Sequence, residues 1–398
     1  MDCIVLAAGE GKRMRPLTAN RPKVMLPIAN RPMLEHLVLA AREAGIRDFI
    51  FVVGYGEREI RSYFRNGESM GISIRYVTQR RQLGTSDALK SAAGLVKGPF
   101  MMLNGDMILH SEDIRALAAS VGPCMATFQS AHPEDYGVVT VKNGRITGLE
   151  EKAPHPKSTL INAGAYVFPP SIFERLASVG VSRRGEFELT DALEEWIEKR
   201  ELCAHTLGSW LDVGHPWDLL DANATLLGQQ EPIQEGAIEP NVTLHGNVSI
   251  GKGTVLKAGT YIEGPVSIGQ ECRIGPHAYI RASTSIGDHC HIGTAEVKNS
   301  IVMAQTNIPH FNYVGDSIIG SKCNLGAGTS IANLRHDHKP VKVCGQSSGK
   351  VKFGAIIGDG VQFGINCSVN IGTVIGSNTI IAPHSFVEGC IEDGSYIR

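Results

Sequence analysis

Apolar residues follow two different rhythms along this chain. In the first half, short apolar runs at 2–8, 49–53, 72–77 and 100–103 read as buried strands, and the stretches between them, such as 34–44, carry apolar residues at helical spacing. This alternation predicts an α/β domain with a largely parallel sheet. From Phe187 to Lys199 the pattern reads as an amphipathic helix. A further helix near 216–227 leads into the polar segment GQQEPIQEG, a domain boundary.

Beyond that boundary the period changes to six. Branched aliphatic residues stand at Ile238, Leu244, Ile250, Leu256, Ile262, Ile268, Ile274, Ile280, Ile286 and Ile292, and the next position in phase is Lys298. The beat resumes at Ile308 and Val314, slips by one residue to Ile319, and continues through Leu325 and Ile331. After a polar excursion it returns at Ile357, Phe363, Val369, Ile375, Ile381 and Val387. Six-residue units with a small residue at the fifth position predict a parallel β-helix, in which stacked strands bury an aliphatic ladder that no single unit could bury alone. The excursion between Ala332 and Phe353 is expected to leave the coil as a loop. Local rules tend to fail where function sits. Here the failure coincides with Lys298, His310, Tyr313, Asn324 and Asn333.

Bulk properties narrow the function classes. With 38 basic and 40 acidic residues and no long charge run, neither a nucleic-acid nor a membrane-surface role has electrostatic support. No apolar stretch approaches the ~18 residues of a bilayer span, and the start MDCIVLAAGEGKR lacks the charged region of a secretion signal, so a cytoplasmic chain is expected. None of the nine cysteines forms a CxxC pair. Cys272, Cys290, Cys323 and Cys367 occupy the small fifth position and read as reduced packing residues, neither disulfides nor metal ligands.

In parallel α/β sheets ligands bind beyond the carboxyl ends of the strands, where the first loop, TQRRQLGTSDA and NGD converge. The first loop holds Gly9, Gly11, Lys12, Arg13, Arg15 and Lys23. Glycines let backbone N–H groups approach anionic oxygens and nearby cations neutralise them, which describes a polyphosphate cradle. It is not a Walker loop, which needs Gly-Lys-Ser/Thr, nor a dinucleotide fingerprint, which needs a glycine where Met14 stands.

The segments LAAGEGKRM, PLT and RPKVMLPIANRPML closely resemble the signature of sugar-1-phosphate nucleotidylyltransferases. QRRQLGTSDA, LNGD, YGVV, LEEK, INAGAYVF and WLDVGHPWDL follow in the family's order. The resemblance implies a Rossmann-like domain in which a sugar 1-phosphate oxygen attacks the α-phosphorus of a nucleoside triphosphate and expels pyrophosphate. It implies that Leu6, Ala7, Ala8 and Gly9 line the nucleotide, that Gly11 and Arg13 hold the β and γ phosphates, and that Lys23 lies near the reacting phosphates. Gln79, Gln82, Gly84 and Thr85 would read the pyrimidine base. Asp106 and Asp212 would hold Mg²⁺, an ion suited to two carboxylates plus substrate phosphates. Tyr136, Gly137, Glu150, Lys152, Asn162 and Gly164 would form the sugar-phosphate pocket.

The second half resembles the acetyltransferase domain of bifunctional enzymes that make UDP-N-acetylglucosamine from glucosamine 1-phosphate, the archaeal members above all, through EVKNS, HFNYVGDS, NLGAGT and IAN. That resemblance implies a left-handed parallel β-helix, with His310 as the base that frees the amine to attack acetyl-CoA. Lys298 and Tyr313 would hold the sugar phosphate, Asn324 and Asn333 the amino sugar. Ala327 and Ala382 would line the acetyl-CoA path, and Lys339 and Lys342 meet sugar or CoA phosphates. Such enzymes are homotrimers with acetyl-transfer sites between subunits.

The resemblance divides the chain into a nucleotidylyltransferase domain at 1–228, a linker at 229–236 and an acetyltransferase domain at 237–398. Bacterial members carry Tyr after the Asn of IAN; here Leu334, Arg335, His336 and Asp337 follow, which leaves glucosamine and galactosamine 1-phosphate both open. Asp212 in WLDVG follows thymidylyl and uridylyl transferases, so UTP and dTTP both remain. An alternative keeps the nucleotidyl chemistry, on glucose 1-phosphate, and treats the coil as an assembly or regulatory module. A purely interaction-scaffold reading conflicts with the presence of Arg13, Lys23, Asp106 and Asp212 together.

Overall fold

In the computed structural model, which describes residues 1–182 and 185–398, contacts divide the chain into two compact units. The first comprises 1–10, 21–25 and 33–212, the second 11–20, 26–32 and 213–398.

The first unit is built on a nine-stranded sheet. Strand Asp2–Ala7 pairs in parallel with Asp48–Val53 on one side and Phe100–Asn104 on the other, and Ser73–Thr78 extends the parallel edge. Side chains alternate across a strand, so the sheet separates two cores: Cys3, Val5, Phe51 and Leu103 pack on one face, Ile4, Ile50, Val52 and Met102 on the other. Continuous apolar runs are what a sheet covered on both faces requires. Beyond Phe100–Asn104 the sheet turns mixed, because Leu160–Phe168 runs antiparallel to both Phe100–Asn104 and Cys124–Gln129. This mostly parallel arrangement is consistent with a Rossmann-like fold. A short antiparallel pair, Met107–Leu109 with Trp210–Asp212, lies apart from the main sheet.

The helix expected over 187–199 is shorter and later. It comprises a 3-10 turn at Thr190–Leu193 and an α-helix at Glu194–Glu198. The backbone of the preceding residues is committed elsewhere. The Phe187 N–H donates to Leu83 O, the Phe187 carbonyl accepts from the Ser86 N–H, and the Leu189 N–H donates to Thr85 Oγ1. Those groups are unavailable to a helix.

In the second unit, parallel strands, most of them two or three residues long, stack in register, an arrangement that fits a β-helix. Val255 pairs with Arg273 and Arg273 with His291, eighteen residues on each time. The inward residues, from Ile250 through Val387, form one continuous buried ladder, while Ile238 at its start is exposed. The four fifth-position cysteines are buried and unpaired, and burial raises the Cys323 thiol to about 12.

The sequence phase does fail after Ile292, but the ladder does not. Val297 and Val302, both buried, occupy it where the fixed period pointed to Lys298. Two sides are one residue short, so His291 pairs with Asn307, only sixteen residues on. The excursion is also more ordered than a loop: Lys342–Val343 and Gln346–Ser347 form an antiparallel hairpin, and Cys344 is disulfide-bonded to Cys390 with Cα atoms 5.9 Å apart. The excursion packs on the beginning of the 213–398 segment, where Phe353 meets Trp217 edge-on and Gln346 meets His215.

Helix Asp218–Gln229 and the hairpin of Pro27–Ile28 with Arg31–Pro32 sit against this stack. Asn223 accepts from the Ala29 N–H and donates to Ser283 O, and Asn30 donates to Ser267 O and Ile286 O. No helix among the described residues is long and apolar enough to cross a membrane.

Candidate active sites

At the carboxyl end of Asp2–Ala7 the first unit gathers most of the nucleotidyl candidates. The Leu6 carbonyl accepts from the Gly105 N–H, and the Ala8 carbonyl accepts from both the Tyr55 N–H and Gln82 Nε2 at 2.8 Å. Gln79 is buried, with its amide NH₂ turned to Asp87 Oδ2 at 2.7 Å and to Gly84 O at 3.3 Å. Gly84 has a φ of +117°, and a Cβ there would run into the backbone of Phe187. Only glycine can bring the chain into the Thr85–Lys90 helix at that angle.

Lys23 is almost fully buried, and its Nζ lies 2.6 Å from Asp106 Oδ2. Asp106 immediately precedes Met107, which pairs with Asp212, so the two carboxylates stand at neighbouring strand ends. The Tyr136 hydroxyl donates to Asp212 Oδ2 at 3.3 Å, and Trp210 fixes this edge by donating to Ala163 O. Asn162 exchanges hydrogen bonds with the buried Tyr166 hydroxyl and accepts from the Gly164 N–H; burial pushes that phenol upward, so it stays a donor. The carboxylate whose charge reaches Tyr166 is Glu151. Strand alternation turns Glu150 to the opposite face. Gly137 pairs with Glu151, and the Lys152 N–H donates to Tyr136 O. Gly11 and Arg13 belong to the second unit; Gly11 is left-handed and its carbonyl accepts from Thr18 Oγ1.

The second group of candidates lies where the stack is short. Strands His291–Lys298 and Asn307–Gly315 are the longest of this unit, and between them Thr294 faces His310 while Ala295 faces Asn312. Phe311 is therefore an extra residue, a β-bulge with φ +49° and its ring 76 % exposed. A bulge re-aims the neighbouring side chain, here His310, which is exposed. Its backbone carbonyl accepts from the Gly328 N–H, which brings Ala327 alongside.

Lys298 and Asn333 converge on one buried carboxylate, Asp316, and Tyr313 joins them through Asn333. Lys298 Nζ is 3.1 Å from Oδ2; Asn333 Nδ2 bonds the same oxygen and also the Tyr313 hydroxyl at 3.2 Å. Beside them a cavity of about 320 Å³ is lined by Tyr313, Ser330, Ala332, Ser368, Asn370 and Phe386. Asn324 sits in the parallel bridges linking Asn307 to Gln362, and Ala382 lies further along the stack, its N–H donating to Ile397 O. Lys339 and Lys342 are exposed on the excursion and are not brought to the Asp316 cluster.

Residues 2–229 match the Nucleotidyl transferase family and residues 262–392 the GMPPB C-terminal domain. Over its whole length the chain is 46 % identical to "Bifunctional protein GlmU" of Methanococcus maripaludis strain C7, covering 97 % of that protein. It is 37 % identical, over the full length of both chains, to a "Bifunctional sugar-1-phosphate nucleotidylyltransferase/acetyltransferase" of Sulfurisphaera tokodaii. The chain belongs to this bifunctional nucleotidylyltransferase/acetyltransferase family. Among solved structures, a putative glucose-1-phosphate thymidylyltransferase from Bacillus anthracis is 28 % identical with a TM-score of 0.53, covering 56 % of this chain and 94 % of its own. As a member of the bifunctional family the protein is a transferase, with nucleotidyltransferase and acetyltransferase activities.

Two residues of this bifunctional enzyme escape a motif reading. Asp316 is invisible as a centre until Lys298 and Asn333 are seen to meet on it. Arg281 follows Ile280, which pairs with Val297, so it occupies one strand earlier the place that Lys298 takes after Val297. Its signal was present in the hexapeptide phase. It is ion-paired to Glu296 at 3.0 Å.

His291, in register with Arg273, has its ionisation pushed down by partial burial and then by the positive charge of Arg273, His310 and Lys257. The unfolded chain therefore takes up this proton more readily than the folded one, so stability falls as pH drops through the ordinary value of 6.5 toward the lower folded value. His291→Gln is expected to lose less thermal stability than the parent between about pH 7 and pH 5, measured as Tm at each pH.

Proposed function

We propose that the chain acetylates glucosamine 1-phosphate, or galactosamine 1-phosphate, with acetyl-CoA, and then transfers a uridylyl group from UTP to the N-acetylated sugar 1-phosphate with release of pyrophosphate. Residues 1–228 perform the second reaction and 237–398, as a left-handed parallel β-helix, the first. The observation that carries this reading is the bulge at Phe311, which sets an exposed imidazole on a strand next to a cluster of one cation, a phenol and an amide. A structural stack has no use for that arrangement.

In the acetyl-transfer step the sugar amine attacks the thioester carbonyl. The new C–N bond forms, the C–S bond breaks, and His310 takes the amine's proton and returns it to the departing thiolate. Lys298 and Tyr313 receive the sugar phosphate, Asn324 and Asn333 contact the amino sugar, Ala327 and Ala382 flank the acetyl-CoA path, and Lys339 and Lys342 meet phosphates. The Tyr313 cavity is open on a single chain, which accords with a homotrimer whose neighbouring subunit completes the site.

Uridylyl transfer is an in-line displacement in which positioning and charge neutralisation supply most of the rate. Backbone at Leu6–Gly9, with Gly11 and Arg13, cradles the phosphates, Gln79, Gln82, Gly84 and Thr85 read the base, and Tyr136, Gly137, Lys152, Asn162 and Gly164 bind the sugar phosphate, with Glu151, which shares their face of the sheet, in the place the resemblance gives to Glu150. Asp106 and Asp212, two carboxylates at adjacent strand ends, fit Mg²⁺, which would neutralise charge building on the phosphates. Lys23, held on Asp106, adds a fixed positive charge. Substrates of this kind place the enzyme in the cytoplasm.

The test is CoA release from acetyl-CoA with each amino sugar 1-phosphate, alongside pyrophosphate release from UTP and dTTP with the N-acetylated sugar phosphate. Both products are expected. Pyrophosphate without CoA from either amino sugar would reject the acetyltransferase reading. It would favour a second one, a glucose-1-phosphate nucleotidylyltransferase with a C-terminal assembly or regulatory module, a reading that rests on the likeness to a putative glucose-1-phosphate thymidylyltransferase.

A further inference from the structure

The carboxylate of Asp316 is almost fully buried, yet among the described residues no charge of opposite sign faces it except Lys298 at 3.1 Å. Two side-chain amides complete its surroundings: Asn299 Nδ2 donates to Oδ1 at 2.7 Å and Asn333 Nδ2 donates to Oδ2. An ionised carboxylate only accepts hydrogen bonds, so the amide group turned to it must be the NH₂ end. The same NH₂ donates to the Tyr313 hydroxyl. The Asn333 carbonyl oxygen is thereby committed to the other direction, as an acceptor.

Gly315 makes room for this arrangement from a second side. A Cβ at this position would come within 2.6 Å of Asn333 Nδ2 and 2.7 Å of the Tyr313 hydroxyl. Its φ is not in the left-handed region, so what this position demands is space, not conformational freedom.

We propose that Asp316 is a positioning residue that selects the amine of the substrate: by holding the NH₂ of Asn333, it makes the site present an oxygen acceptor to the 2-substituent of the sugar and keeps Lys298 fixed for the phosphate. A group that donates, an amine or ammonium, is then favoured at that substituent. If Asn333 could turn over, its NH₂ would face the ligand equally often and would repel an ammonium. This inference rests on the acetyl-transfer reading above.

The experiment uses the full chain and three variants: Asp316→Asn, Gly315→Ala, and the exchange Asp316→Asn with Asn333→Asp. For each, KM and kcat are measured for glucosamine 1-phosphate and acetyl-CoA, with Ki for glucose 1-phosphate, the hydroxyl analogue, as a competitive inhibitor. Asp316→Asn and Gly315→Ala are each expected to raise the amino-sugar KM at least about tenfold, the loss of one hydrogen bond to a charged group. The KM for acetyl-CoA and pyrophosphate release should stay within about twofold, as for distant independent sites. The ratio of amino-sugar KM to glucose 1-phosphate Ki is expected to rise, since the hydroxyl can also accept from a turned amide. The exchange variant, which restores a carboxylate to the pair and an acceptor at residue 333, is expected to recover most of that ratio. An unchanged ratio in both single variants, or an equal loss for every substrate together with a fallen Tm and no recovery on exchange, overturns the positioning role. If Asp316→Asn does not fold, Gly315→Ala and the exchange variant decide the question. Absence of CoA release from the unaltered chain would instead remove the reading on which the proposal rests.

Discussion

His310→Ala is expected to slow CoA release by about 10²–10⁴-fold, the usual contribution of a positioned general base, with pyrophosphate release unaltered. An amino sugar is largely protonated near neutral pH, and an ammonium has no lone pair with which to attack a thioester. The imidazole is exposed and packs no core, so the folded state should lose no more than about 0.5 kcal/mol. Assaying both reactions on one preparation, with Tm alongside, separates a chemical loss from a folding loss. A fall in both activities together would show that the two sites are not independent.

Replacing Lys23 with methionine should act on the other reaction, reducing pyrophosphate release by about 10²–10³-fold, the range seen when one preorganised charge-stabilising group is removed. Lys23 has already been stripped of water by the fold, so its charge needs no reorganisation when the phosphates arrive. Its loss would also leave Asp106 without the cation 2.6 Å away. Removing one partner of a fully buried pair costs about 3–5 kcal/mol; the Asp106 side chain is 36 % exposed, so solvent will absorb much of that. Steady-state kinetics at saturating nucleotide, compared with CoA release from the same sample, checks the prediction. Unimpaired pyrophosphate release would remove Lys23 from the catalytic set.

Most of the fold could be read from the sequence because both halves obey short-range periodicities. Strand runs such as Val5 through Ala7 are apolar throughout since both faces of their sheet are covered, and the six-residue beat names nearly every ladder residue correctly. What escaped reading involves residues far apart or a period that is not constant. A fixed count of six leads to Lys298, while the chain shortens two sides to five and buries Val297 and Val302 instead. Phe187 to Leu189 look helical, but their backbone groups bond residues about a hundred positions earlier. Cys344 and Cys390 are 46 residues apart, and nothing in either neighbourhood announces the pairing. The candidate residues emerged from motifs, whereas the carboxylate on which Lys298 and Asn333 converge emerged only from their spatial meeting.

The eighteen-residue step between stacked strands also sets a grammar for how such a gene can change length. Insertion or deletion of a whole turn leaves every remaining rung above an equivalent rung, whereas a single inserted residue would shift a strand by one and send its buried side chain outward. The chain has two ways around that constraint. It drops one residue from each of two consecutive sides, preserving the ladder, and it lets the segment after Ala332 depart and return so that Ile318 still meets Ile356. Novelty in this half of the molecule therefore enters at corners and in departures from the stack, which is where His310 and the excursion stand.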